Sequence, residues 1–128
     1  MAKYSLKEVE QVNGKIKYFK LEIDGRCQFD EFCQDIQRDG NLTSELASIY
    51  SIMNSQANLH MLPKTKFRDI TPKKSKNKEY EFKKGSVRIY ALKDAVGNII
   101  VYAGKKGSQS IDMARFRTIK LDYLNSIK

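Results

Sequence analysis

The chemistry available to this chain is carried mainly by its cations, which are unevenly placed. Residues 1–59 hold 7 Lys and Arg against 9 Asp and Glu, a balance of −2. Residues 60–128 hold 17 against 6, a balance of +11 within the chain's total of +9. Such asymmetry points to a polyanionic partner: nucleic acid, a ribosome or an acidic protein. The densest run lies between Leu59 and Lys76, where Lys64, Lys66, Arg68, Lys73, Lys74 and Lys76 accompany Pro63 and Pro72. A lysine-rich loop is commonly just solvated, but beside a charged sheet face it can grip phosphates.

Other chemistries find little support. There is no GxxxxGK[ST] loop, no GxGxxG and no GxSxG. The single histidine, His60, stands among Leu59, Met61 and Leu62 and reads as a packed or incidental residue. Cys27 and Cys33, with one His in the chain, make no zinc set and read as buried, reduced thiols. No N-terminal apolar run resembles a signal peptide, and no stretch approaches the roughly 20 apolar residues of a membrane span. A single domain, cytoplasmic and without a membrane partner, is the expectation for residues 1–128.

The elements that must position these cations centre on Lys78–Lys106. Glu79–Lys83 alternates, with Glu79, Glu81 and Lys83 on one face and Tyr80 and Phe82 on the other, the period of a half-buried strand. Val87–Leu92 follows after Lys84-Gly85-Ser86. A loop over Asp94–Asn98 leads to Ile99–Ala103, apolar enough for a strand covered on both faces. Upstream, Lys15–Ile23 alternates as a further strand, either paired with Tyr4–Val9 or lying beside the later sheet. Residues 1–14 form an extension of uncertain structure.

Two helices are expected between these strands. Gln28–Arg38 has one apolar stripe in Phe29, Phe32, Cys33 and Ile36. Thr43–Ala57 follows after Asp39-Gly40-Asn41, with Asn41 or Thr43 as its N-cap. A third helix runs to about Ser126, capped by Ser110 or Asp112. The fold class is therefore α+β: two N-terminal helices packed on a small, mainly antiparallel sheet, plus a C-terminal helix.

That order of elements, with YEFKKGSVRIYAL, a gap and NIIVYAGKKGSQS, resembles the RelE/HigB toxin superfamily. The match is best over Lys78–Lys128. The resemblance implies a RelE-like domain and the toxin component of a type II toxin–antitoxin pair. Such a toxin is a ribosome-dependent endoribonuclease that cuts mRNA and needs no metal and no cofactor. Its partners would be a cognate antitoxin, typically a helix-turn-helix protein, and the ribosome with its mRNA.

By the same resemblance Arg88 holds the scissile phosphate, and Lys105 or Lys106 stabilises the developing charge. Glu81 (or Glu79) is either a general base or an ion-pair partner of Arg88. Lys64, Lys66, Arg68, Lys73, Lys74, Arg115 and Arg117 would contact RNA. Basic residues of the best-known members are replaced here by Glu79 and Glu81. That departure leaves two alternatives: a noncatalytic basic binding module of the same fold, or a ParE-like inhibitor of a protein target.

Overall fold

The computed structural model describes residues 3–127. Six strands form one mixed sheet with three helices, an α+β arrangement. Strands β1 (Tyr4–Glu8) and β2 (Tyr18–Ile23) come first, then helices α1 (Gln28–Asp39) and α2 (Thr43–Ala57). Next come β3 (Phe67–Asp69), β4 (Glu79–Lys84), β5 (Val87–Asp94) and β6 (Gly97–Lys105). A 3-10 turn at Lys106–Ser108 leads into α3 (Gln109–Ser126). The spatial order is β1-β2-β6-β5-β4-β3, with β2 parallel to β6 and every other pair antiparallel.

The sequence pattern suggested an N-terminal helix pair, but a strand pair precedes it. Both options left open for Lys15–Ile23 hold at once, because β2 pairs with β1 on one side and β6 on the other. The N-terminal extension supplies an edge strand, and beyond it Val9 and Val12 are buried. Met1 and Ala2 lie outside the described residues. The proline-bounded bridge also contains a strand, β3, whose Phe67 packs on Tyr80 and Phe82. At three residues on a sheet edge, it is too short to show a periodic pattern.

The helices divide between the two faces. Phe29, Ile36, Ile49 and Met53 of α1 and α2 join Val87, Ile89 and Ile100 in one core. Phe116 and Tyr123 of α3 cover Tyr90, Leu92, Ile99 and Val101 on the other face. Strand β6, central and covered twice, is accordingly apolar throughout its middle. Past Ile100, β6 loses β2 as a neighbour. The Gln28 amide replaces it: Nε2 donates to the Ala103 carbonyl and Oε1 accepts from the Ala103 N–H, both at 2.7 Å. A strand's unpaired backbone groups are thereby satisfied by the first residue of α1.

The chain enters β6 through Gly97, whose φ is 140°. A Cβ there would stand 2.3 Å from the Lys17 carbonyl oxygen, which accepts the Asn98 N–H at 2.9 Å. Only glycine lets the chain just before β2 approach this closely. The helix starts differ from the expected caps. Leu42 precedes α2 and Ser108 precedes α3, neither with a side-chain cap hydrogen bond.

Candidate nucleic-acid interface

β4 and β5 form a hairpin whose two-residue turn is Gly85–Ser86, since Lys84 pairs with Val87. The next pair inward is Lys83 opposite Arg88. Directly opposed residues share a face, so two cations sit side by side there. Among the described residues neither has a carboxylate within the 4.0 Å of an ion pair. Like charges placed this way destabilise a sheet, so the pair adds nothing to the stability of the fold.

Arg88 is only 8% exposed. Its Nη1 donates to the carbonyls of Gly85 at 2.7 Å and Val87 at 2.9 Å. These bonds fix the guanidinium against its own hairpin turn. Nε is buried without a partner, and two residues on, the buried Tyr90 hydroxyl also has none. Unpaired buried donors are rare and costly in native proteins, and the Nε of Arg68 is a third one here. The Tyr90 ring stacks on Phe116 with centroids 5.8 Å apart. Burial first, then the negative fields of Glu81 and Asp112, push the Tyr90 phenol up to about 12. At neutral pH it is a hydrogen-bond donor, not a base.

On its other side Arg88 faces Gly104 of β6. A Cβ at that position would come 1.9 Å from Asp112 Oδ2. The missing side chain lets Asp112, 5% exposed and hydrogen-bonded by Ser108 Oγ at 2.6 Å, drop onto the strand. Gly104→Ala therefore displaces the buried Asp112 carboxylate and disturbs its bond from Ser108. Overpacking of this kind costs roughly 1–3 kcal/mol, and a lowered midpoint in a urea melt is expected. An unchanged midpoint would contradict this close approach.

The structure separates the other expected site residues. Glu81 is fully buried and bound to Arg68 Nη2 at 2.9 Å and Gln109 Nε2 at 3.1 Å. It is thus an ion-pair partner, but of Arg68 rather than Arg88, and both its oxygens are engaged. Glu79 is likewise held by Lys120 and Arg117. Lys105 pairs with Val87 and so projects from the opposite face to Arg88. Lys106 begins the 3-10 turn, its N–H bonded to the Ser86 carbonyl at 2.8 Å, which keeps it near the hairpin turn.

The bridge cations also divide. The Lys66 carbonyl accepts the Lys83 N–H, placing Lys66 at the same sheet end, while Lys64 is exposed just before it. Lys73 and Lys74 are exposed at the far end, about 20 Å away along the six residues of β4. Arg115 is exposed on α3 and donates to the Tyr102 hydroxyl at 3.0 Å. Arg117 ties Glu79 and the Ile70 carbonyl together, which makes it a structural residue. One sheet end therefore carries Lys83 and Arg88 on the α3 face and Lys84 on the α2 face, with Lys66 and Lys106 close by. Sequence inspection passed over Lys83 and Tyr90. Both could have been found by pairing residues symmetrically about Gly85–Ser86 and then stepping two along β5.

The thiols take no part in this surface. Cys27 and Cys33 are free, and burial pushes Cys33 up to about 11 from an ordinary 9.0. Folded Cys33 keeps its proton where the unfolded chain has lost it. Its contribution to stability is complete below pH 9 and lost as pH rises toward 11. A Cys33→Ala chain should show a smaller fall in denaturation midpoint between about pH 8 and about pH 11. An identical fall would contradict the burial of this thiol.

Among the described residues no cluster of His, Cys, Asp and Glu could hold a metal ion, and no helix is long and apolar enough to cross a membrane. Compared with known protein families, curated proteins and solved structures, the chain finds no match.

Proposed function

We propose that this chain is the toxin component of a type II toxin–antitoxin pair of the RelE/HigB kind, cytoplasmic, acting on mRNA at the ribosome. The observation that carries the reading is the Lys83–Arg88 pair: directly opposed across β4 and β5, without a carboxylate partner, and with Arg88 held against its own turn. A scissile phosphate resting there would receive two cations and the free donors of Arg88. A guanidinium suits this role because it can bond two phosphate oxygens at once. Charge growing on the phosphorus during attack by the 2′-hydroxyl is stabilised by donors already in position. Tyr90, protonated and fully buried two residues along β5, does not reach that phosphate itself. The order of strand, two helices, meander and C-terminal helix supports a RelE-like fold.

A second reading is favoured by a specific observation. Glu81 is engaged elsewhere and Lys105 faces away, which leaves Arg88 and the nearby Lys106 of the four residues expected to be catalytic. A basic module that binds RNA without cutting it would look the same at Lys83 and Arg88. The two readings separate on one assay with isolated ribosomes and a defined message. Cleavage by the chain, absent in Arg88→Ala, supports the toxin. Ribosome or RNA binding that weakens in Arg88→Ala, with the message left intact, supports the module.

A further inference from the structure

The opposite side of the same hairpin turn holds a second polar site. A cavity of about 200 Å³ lies between α2 and the β3–β4 edge. Ser48, Ser51 and Ser55 reach it from one face of α2, spaced three and four residues apart. Lys66 and Lys84 close it from the sheet side, and Ile52 contributes apolar wall. Among the described residues none of the three hydroxyls has a hydrogen-bond partner, and neither ammonium has a carboxylate within 4.0 Å. Glu45, one turn before Ser48, lies over Gly85 and accepts from Ser44 Oγ; it is not part of the lining.

We infer that this cavity is a phosphate-oxyanion site. Three hydroxyl donors and two ammonium groups line a solvent-open space too small for a large ligand, with Ile52 and Leu62 as its apolar wall. Hydroxyls and lysines are the side chains that bind tetrahedral oxyanions without needing the planar fork of arginine. The site does not depend on the Arg88 reading. Lys84 pairs with Val87 and faces α2, whereas Lys83 and Arg88 face α3. The two cation sets therefore flank the hairpin tip on opposite faces. A phosphodiester chain passing round Gly85–Ser86 would meet both, and a free phosphate monoester could occupy this one alone.

The test is a pair of NMR titrations of the ¹⁵N-labelled full chain, one with inorganic phosphate and one with a short single-stranded oligoribonucleotide. Saturable shifts of the Ser48, Ser51 and Ser55 amides are expected. They should weaken roughly tenfold in a Lys66→Gln/Lys84→Gln chain and persist in Arg88→Ala. Shifts with inorganic phosphate assign a free-phosphate site; shifts with the oligoribonucleotide alone assign a phosphodiester contact. No saturable shift at these serines with either probe overturns the proposal. So do shifts that survive the lysine double substitution, or that vanish in Arg88→Ala. Ser51→Ala, on an exposed helix position, provides a folded control that should weaken the same shifts.

Discussion

Lys120→Met should destabilise this chain by about 3–5 kcal/mol, the cost of breaking a buried ion pair by removing one partner. The side chains of Lys120 and Glu79 are 4% and 2% exposed. Lys120 Nζ donates to Glu79 Oε2 at 2.7 Å, Ser75 Oγ at 2.9 Å and the Asn77 carbonyl at 3.0 Å. All three ammonium hydrogens are thus used. Arg117 Nε holds the other Glu79 oxygen at 3.0 Å. This network locks α3 to β4 and pins the lysine-rich loop before it. Removing Lys120 leaves a carboxylate in the interior with only Arg117, itself partly in solvent, for compensation. The expected fall in Tm is on the order of 10–20 °C. A Glu79→Gln/Lys120→Met chain should recover much of the loss, because removing both charges is far less costly than orphaning one. A single variant that melts within a few degrees of wild type would contradict a buried network.

The second large effect concerns activity. On the proposed toxin reading, Arg88→Ala should lower mRNA cleavage by about 10²–10³-fold, the usual cost of losing one positioned donor to a developing oxyanion. Arg88→Lys should recover only part of it, since an ammonium keeps the charge and loses the fork. Lys83→Ala serves as the internal comparison. It also removes a cation from the site, but relieves the like-charge pair across β4 and β5, so it should melt no lower than wild type. Reduced cleavage with undiminished stability is the pattern of a residue kept for its ligand. If Lys83→Ala instead destabilises the chain and leaves cleavage unchanged, the pair belongs to the fold.

Much of the architecture was legible in the sequence, and the failures have physical causes. The meander, both internal helices and the last helix were visible because their apolar periods are long and their turns contain Gly or Asn. β3 was hidden because three residues carry no period. The parallel pairing of β2 with β6 was hidden because it depends on Gly97 admitting the Lys17 carbonyl, a contact between residues far apart in the chain. The alternation at Glu79 and Glu81 correctly gave a strand, but made Arg88 the expected ion-pair partner of these carboxylates. A strand pattern cannot reveal that α3 and β3 bring Lys120, Arg117 and Arg68 to bury those carboxylates. Lys105 was misplaced by one step of parity: adjacent strand residues face opposite ways, and only the register with Val87 fixes which. Arg88 itself was found through resemblance, whereas its cationic neighbour Lys83 follows from the hairpin geometry alone.

The most direct test of the proposed function is to express the chain in translating bacterial cells without any antitoxin, beside Arg88→Ala, and to map mRNA 5′ ends. New ends are expected at codon positions within translated messages, lost in the Arg88→Ala chain although it is folded and equally abundant. A folded wild-type chain that generates no new ends, or ends that persist in Arg88→Ala, would contradict the toxin reading.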